Sequence, residues 1–217
     1  MASSAQALLI KVKKIPMILK RKTIRFISKI RASIMRCFRN IVRDNSYEFP
    51  KRLLIYTIFE SEKHLQEYKV LFLEGLLPFA DRVEIVVNGT LPENDLKRLA
   101  KYGNVQQREN KGYDAGAFQF GILSLSYQEL QHFDQLLLVN DTNIGPLSDL
   151  AEVFKRMDSK KLDFWGMSFG EVQPDFTGMN PYGFIPEHLQ SYFLVIEHSL
   201  LKDKLFYHYW QNLPDTS

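Results

Sequence analysis

Cysteine is almost missing from this chain: Cys37 stands alone among 217 residues. No intrachain disulfide can form, and a reducing compartment is the simpler expectation. Residues 1–22 hold no apolar run of the roughly 18 residues that a spanning helix requires. Lys11, Lys13 and Lys14 cut the patch at residues 8–10 short, and no small-residue cleavage site follows, so a secretory signal is not expected. Histidines 64, 132, 188, 198 and 208 lack zinc-ligand spacing and cysteine partners. Lys111-Gly112 lacks the full spacing of a P-loop. There is no internal repeat and no low-complexity tract. What remains is 45% hydrophobic and 13% aromatic, enough for a real core and against global disorder.

Charge is unevenly spread. Residues 1–44 carry twelve Lys or Arg against one acid, Asp44, a net +11; the remainder carries 16 basic and 24 acidic residues, a net −8. The two parts are expected to meet different partners. From Thr23 to Val42, Ile27, Ile30, Ile34, Phe38 and Ile41 recur every three or four residues, while Arg25, Lys29, Arg36, Arg39 and Arg43 fall largely elsewhere on the wheel. This predicts a basic amphipathic helix lying on an anionic membrane surface, each basic residue near the lipid contributing about 1 kcal/mol. A solvated helix packed on its own domain or on a partner is the plainer alternative. Nucleic acid is not expected as a partner, because aromatic interleaving is poor and the acidic remainder repels a phosphate backbone.

Residues 45–51 read as a linker ending at Pro50, and residues 52–217 as one domain. Leu53 to Phe59 and Val83 to Val87 are strand candidates, the first followed by a helix start at Glu60-Ser61-Glu62 and a helix ending near Pro78, the second by a helix from Pro92 to Tyr102. Val105 to Arg108 is a short third strand and Asp114 to Ser126 a third helix. Leu136-Leu137-Leu138-Val139, four apolar residues stopped by Asn140-Asp141-Thr142, predicts a strand buried on both faces. A helix carrying Leu147, Leu150, Val153, Phe154 and Met157 is expected from Pro146. Strands are expected over Asp163 to Phe169 and His188 to Ile196, a long Gly- and Pro-containing loop from Glu171 to Pro186 between them, and a last helix over Ser199 to Leu213. Such alternation predicts an α/β fold: a doubly wound, mostly parallel sheet with helices on both faces.

In such sheets ligands sit beyond the carboxyl ends of the strands, where Asn140 and Asp141 fall. A second polar loop, Arg108 to Ala117, leads into a helix; its two glycines, Gly112 and Gly116, let the backbone approach a ligand, and amides at a helix N-terminus suit phosphate. Both loops are expected at one sheet edge.

Asn110-Lys111-Gly112-Tyr113-Asp114-Ala115-Gly116-Ala117, Leu138-Val139-Asn140-Asp141-Thr142 with Gly145-Pro146-Leu147, Asp163-Phe164-Trp165-Gly166 and His188-Leu189-Gln190-Ser191-Tyr192-Phe193, in that order, resemble the rhamnan synthesis protein F family over roughly residues 52–213. The resemblance implies a GT-A type glycosyltransferase of bacterial cell-wall or surface polysaccharide assembly. It would move rhamnose from a nucleotide-diphosphate sugar donor to a lipid-linked glycan acceptor, on the cytoplasmic side and peripheral to the inner face of the membrane. Such a domain usually neutralises the leaving diphosphate with a divalent cation, Mg²⁺ or Mn²⁺, held on oxygen ligands. That scheme gives the metal to Asp141 with Asn140 beside it, lines the donor site with Asn110, Gly112 and Asp114, and brings Asn88 towards the nucleoside. The usual Asp-x-Asp pair is replaced by Asn140-Asp141-Thr142-Asn143, and one carboxylate binds metal less tightly than two.

An inverting transfer needs a base to take the acceptor hydroxyl proton. His188, Glu187 and Asp175 are the candidates, beside readings as a strand-end histidine, a solvated acid and a turn residue. Gln190 and Ser191 are candidates for positioning substrate, and Trp165 and Tyr182 for stacking on a sugar ring, although such aromatics also serve packing. The missing second carboxylate leaves open a non-catalytic, membrane-associated binding or scaffold module. Asp215-Thr216-Ser217 follows a helix directly, so a truncated or degenerate member is a further expectation.

Overall fold

The computed structural model describes residues 50–60, 64–176, 178 and 180–214; the expected helix over residues 23–42 lies outside them. The domain is organised by β1 (Arg52–Phe59), whose first seven residues are all buried. Burial on both faces needs layers on both sides. β2 (Arg82–Asn88) and β3 (Asn104–Arg108) continue the sheet on one side of β1, and β4 (Gln135–Asn140) lies on the other, all four parallel. Two later strands extend it: β10 (Phe193–Glu197) runs antiparallel to β4, and β5 (Phe164–Gly166) antiparallel to β10. The order is β3-β2-β1-β4-β10-β5.

Alternation along the strands assigns each face. Leu53, Ile55, Val86, Leu136, Leu138 and Ile196 share one apolar cluster with Ala117, Phe118 and Ile122 of a helix over Tyr113–Leu123, and with Leu130 and Leu201 of short helices over Tyr127–Leu130 and His198–Leu201. Opposite, the Tyr56 ring meets Phe72 of the helix over Glu67–Leu76 at 6.4 Å. Phe154, from the helix over Leu150–Asp158, lies 4.8 Å from Phe79, 6.0 Å from Trp165 and 6.3 Å from Phe193. Helices therefore cover both faces, as the alternation of elements predicts. In chain order the helices are α1 (Glu67–Leu76), α2 (Glu93–Leu99), α3 (Tyr113–Leu123), α4 (Tyr127–Leu130), α5 (Leu150–Asp158), α6 (His198–Leu201) and α7 (Lys204–Gln211). Gly121 lets α3 press onto the sheet, since a Cβ there would stand 2.6 Å from Ile55 Cγ2.

The later half is more broken than its apolar runs suggest. α5 starts at Leu150 rather than near Pro146, because Asp149 caps it by accepting from the Ala151 amide, which leaves Leu147 in solvent. The run over 163–169 breaks after Gly166, and β6 (Phe169–Gly170) pairs instead with β9 (His188–Leu189). The expected loop over 171–186 holds a small ribbon, β7 (Gln173–Pro174) against β8 (Phe184–Ile185). The run over 188–196 splits at Gln190 to Tyr192, its second half entering the main sheet as β10. The expected last helix divides into α6 and α7 where Asp203 caps the second, and Ser126 with Glu129 forms a capping box that opens α4.

A polar network fills the amino end of the sheet. Arg52 donates from Nε to Gln135 and from Nη2 to Asp158, both at 2.5 Å, and Gln135 Nε2 donates to Asp158 and Glu197. Burial raises the Glu197 carboxyl above its ordinary range, against hydrogen bonds from Gln135 and Trp165 that favour its charged form. The folded state thus holds this proton to higher pH than the unfolded chain, and stability falls as pH rises through that interval. Glu197→Gln should remove this slope: in urea unfolding the variant gains on the wild type above the ordinary carboxylate range, and the gain disappears below it. A gain that persists at low pH would show another cause.

Candidate functional site

Three strands place side chains at the carboxyl edge on the α3 side. Asn88 ends β2, Asn140 ends β4, and Thr57 of β1 lies in register with Asn140. Each residue alternates onto the face that carries Val86, Leu138 and Ile55. Asn140 Nδ2 donates to Asp114 Oδ2 at 2.6 Å, and Ser191 Oγ reaches the same oxygen at 3.5 Å. The Asn140 amide donates to Tyr192 O, and Asn143 Nδ2 to the same carbonyl. The turn between β9 and β10 is thereby tied to the ends of β4 and α3. Beneath it, the Thr57 hydroxyl is buried with no hydrogen-bond partner among the described residues.

The loop before α3 is shaped by Arg108. Its guanidinium donates from Nη1 to Asn88 Oδ1 and from Nη2 to Lys111 O, both at 2.7 Å, while Asn88 Nδ2 donates to Tyr113 O. Gly112 turns the chain with φ +67 and Tyr113 follows at φ 48. The first amides of α3 have no intrahelical acceptor, and with the helix dipole they favour an anion. Asn110 lies exposed in this loop.

Tyr113 is the only non-glycine residue with positive φ among those described, and its side chain is 74% exposed. The left-handed region costs an L-residue about 1–2 kcal/mol. Alanine normally exceeds glycine in a helix by about 1 kcal/mol; at position 113 the order should invert. Tyr113→Gly is expected to melt above Tyr113→Ala in thermal unfolding. A higher melting temperature for alanine would show that the backbone escapes the left-handed region.

Asp141 follows Asn140 and turns to the other face. Its Oδ2 accepts the Phe59 amide at 2.9 Å, continuing the β1–β4 ladder by a side chain, and stands 2.6 Å from Lys69 Nζ of α1. Glu60 Oε1 meets the same ammonium at 3.1 Å and accepts the amide of Gln66, the residue before α1. Burial alone would lower the Lys69 pKa, but the hydrogen bonds and charges of Asp141 and Glu60 outweigh it and raise it. Tyr56, buried against both acids, has its phenol pushed well up and stays protonated, donating to Lys69 O. A divalent ion does not fit Asp141 as arranged. Lys69 and the Phe59 amide occupy Oδ2, and among the described residues no three His, Cys, Asp or Glu side chains gather to hold a metal.

The other expected residues divide. Trp165 is 5% exposed, packs on Phe154 and Phe193 and donates to Glu197 at 3.2 Å; this placement gives it to the core, not to sugar stacking. Asp175 Oδ2 accepts the Asn180 amide at 2.6 Å and its own amide donates to Gly183 O, closing the turn between β7 and β8. Glu187 is exposed. His188 Nδ1 lies 2.8 Å from Pro186 O. A carbonyl only accepts, so Nδ1 carries the hydrogen and Nε2 the lone pair of the neutral ring. Gly170 makes room, since a Cβ there would stand 2.6 Å from the His188 ring and 2.8 Å from Gln190 Nε2. Arg108, Lys69 and Glu60 were not among the sequence candidates. Arg108 adjoins the glycine loop and could have been read from it, whereas Lys69 and Glu60 approach Asp141 only through the fold.

Known proteins resemble this chain in sequence and in shape. The family model described as rhamnan synthesis protein F matches residues 83–217. The uncharacterized protein y4gN of Sinorhizobium fredii (strain NBRC 101917 / NGR234) is 31% identical over 163 residues, which cover 75% of this chain and 39% of that protein. This chain therefore spans well under half the length of that relative. Among solved structures, 4-diphosphocytidyl-2C-methyl-D-erythritol synthase is 13% identical with a TM-score of 0.49, over 78% of this chain and 82% of that one. The family match runs through both polar loops, the clamp of Arg108, and the turn that joins Ser191 to Asp114, and the chain belongs to the rhamnan synthesis protein F family.

Proposed function

We propose that this domain binds the donor of a GT-A type glycosyltransferase that moves rhamnose from a nucleoside diphosphate to a lipid-linked glycan. The observation that carries the reading is the meeting of Asp114, Asn140 and Ser191 at the carboxyl edge of a parallel sheet, where such folds take ligands. The donor diphosphate lies against the amides that open α3, where the helix dipole opposes the negative charge that grows as the sugar leaves. Asp114 Oδ1 and Ser191 Oγ orient donor hydroxyls. His188, with its lone pair on Nε2, takes the acceptor proton as the glycosidic bond forms. Its Cα lies within about 11 Å of that of Ser191, the extended reach of three residues. The basic segment with its expected helix over residues 23–42 holds the domain at an anionic cytoplasmic membrane face, beside the lipid-linked acceptor.

The test is calorimetric titration of the whole chain with nucleoside diphosphate rhamnose and with the matching glucose compound. The rhamnose donor should bind more tightly, and Asp114→Ala should weaken it at least tenfold, about 1.4 kcal/mol. Folded protein that binds neither would overturn the donor site.

A further inference from the structure

We infer that the Lys69 ammonium is the resident cation of the Asp141 site and does the work otherwise left to a divalent ion: it holds the Asp141 carboxylate aimed, so that the carboxylate takes a donor hydroxyl directly. The hydroxyl belongs to the nucleotide sugar, so this part rests on the function proposed above. Lys69 Nζ is ringed by oxygen: Asp141 Oδ2 at 2.6 Å, Glu60 Oε1 at 3.1 Å and Phe59 O at 2.5 Å. An ammonium has three hydrogens to give, and all three have an acceptor. Exposure of the Lys69, Glu60 and Asp141 side chains is 5%, 1% and 14%. Entry of a metal ion would require expelling a buried lysine anchored in α1, and leaving that ammonium without its partners is costly.

The charges say what the site accepts. Two carboxylates around one ammonium leave a net negative charge, and Glu60 Oε2 is buried with no donor among the described residues. Such a cluster repels a diphosphate and favours a neutral hydrogen-bond donor. Asp141 Oδ1 makes no hydrogen bond among the described residues, and Asp141 is the most exposed of the three. A sugar or ribose hydroxyl fits there, while the diphosphate is left to the amides of α3 on the other face of the strand. Division of the ligand between the two faces follows from the alternation of Asn140 and Asp141.

The experiment uses the full chain and two probes. In electron paramagnetic resonance, free Mn²⁺ should keep its full signal when wild-type protein is added, and folded Lys69→Met should take up one ion in the vacated oxygen ring. In calorimetry, wild-type affinity for nucleoside diphosphate rhamnose should agree within twofold in EDTA and in millimolar Mn²⁺. The inference is overturned if the wild type takes up one Mn²⁺ that Asp141→Asn loses, or if EDTA weakens the nucleotide sugar tenfold and Mn²⁺ restores it. Both decisive arms use wild-type protein and survive a Lys69→Met that fails to fold. If the wild type leaves Mn²⁺ free but binds no nucleotide sugar, the donor reading fails and Lys69 stands as the cation.

Discussion

Arg52→Ala is expected to lower the stability of the domain by about 3–5 kcal/mol, the usual cost of deleting one partner of a buried ion pair. Arg52 is 1% exposed, its guanidinium contacts Asp158 with side-chain exposures of 2% and 3%, and it stacks over Phe154 at 4.4 Å. Asp158 is the last residue of α5, where the helix dipole is negative and a carboxylate gains nothing from it. Without the guanidinium the buried carboxylate keeps its hydrogen bond from Gln135 Nε2 but loses its cation, and Gln135 Oε1 loses the donor Arg52 Nε. The loss should read as a fall in urea midpoint at unchanged m-value. Asp158→Ala in the Arg52→Ala background should recover part of it, because the buried carboxylate that has lost its cation is coupled to the Arg52 site. A loss under about 1 kcal/mol would mean that water reaches the network as it does an exposed pair.

The sheet was legible for a simple reason. Strands buried on both faces must be apolar throughout, and the runs at 53–59, 83–87 and 136–139 have no competing helical period. The helices that cover them followed from caps and three-to-four spacing. Illegible were elements whose partners are distant: the apolar run over 188–196 breaks because His188 and Leu189 pair with β6 while Phe193 onward pairs with β4. Trp165 read two ways, as a ring stacked on a sugar or as packing, and its register with Val195 decides for packing. In the candidate site, the meeting of the two polar loops was readable from strand ends and glycines. Asn140 and Asp141 read as neighbours in one donor site, but successive residues of a strand point to opposite faces, and the structure sends one to Asp114 and the other to Lys69.

Gly116→Ala should weaken nucleotide-sugar binding by tenfold or more, against the ordinary trend for its position. Inside a helix alanine is favoured over glycine by about 1 kcal/mol, and Gly116 lies in the first turn of α3 with its amide bonded to Gly112 O. A Cβ there would stand 2.3 Å from Lys111 O and 3.1 Å from Arg108 Nη2. Both atoms belong to the hydrogen bond that shapes the loop. The carbonyl is backbone and cannot rotate aside, so the loop must open and carry Arg108 away from Asn88 Oδ1. Overpacking of this kind costs about 1–3 kcal/mol, more than the gain in helix propensity, and the melting temperature should fall as well. Gly116→Ala and Arg108→Ala act on one contact, so their effects on affinity should not add. If Gly116→Ala instead melts higher and binds the donor normally, the loop tolerates displacement and its shape does not set the site. If it melts lower but binds normally, the clamp serves the fold alone, and the donor must be held by Asp114, Asn140 and Ser191 without it.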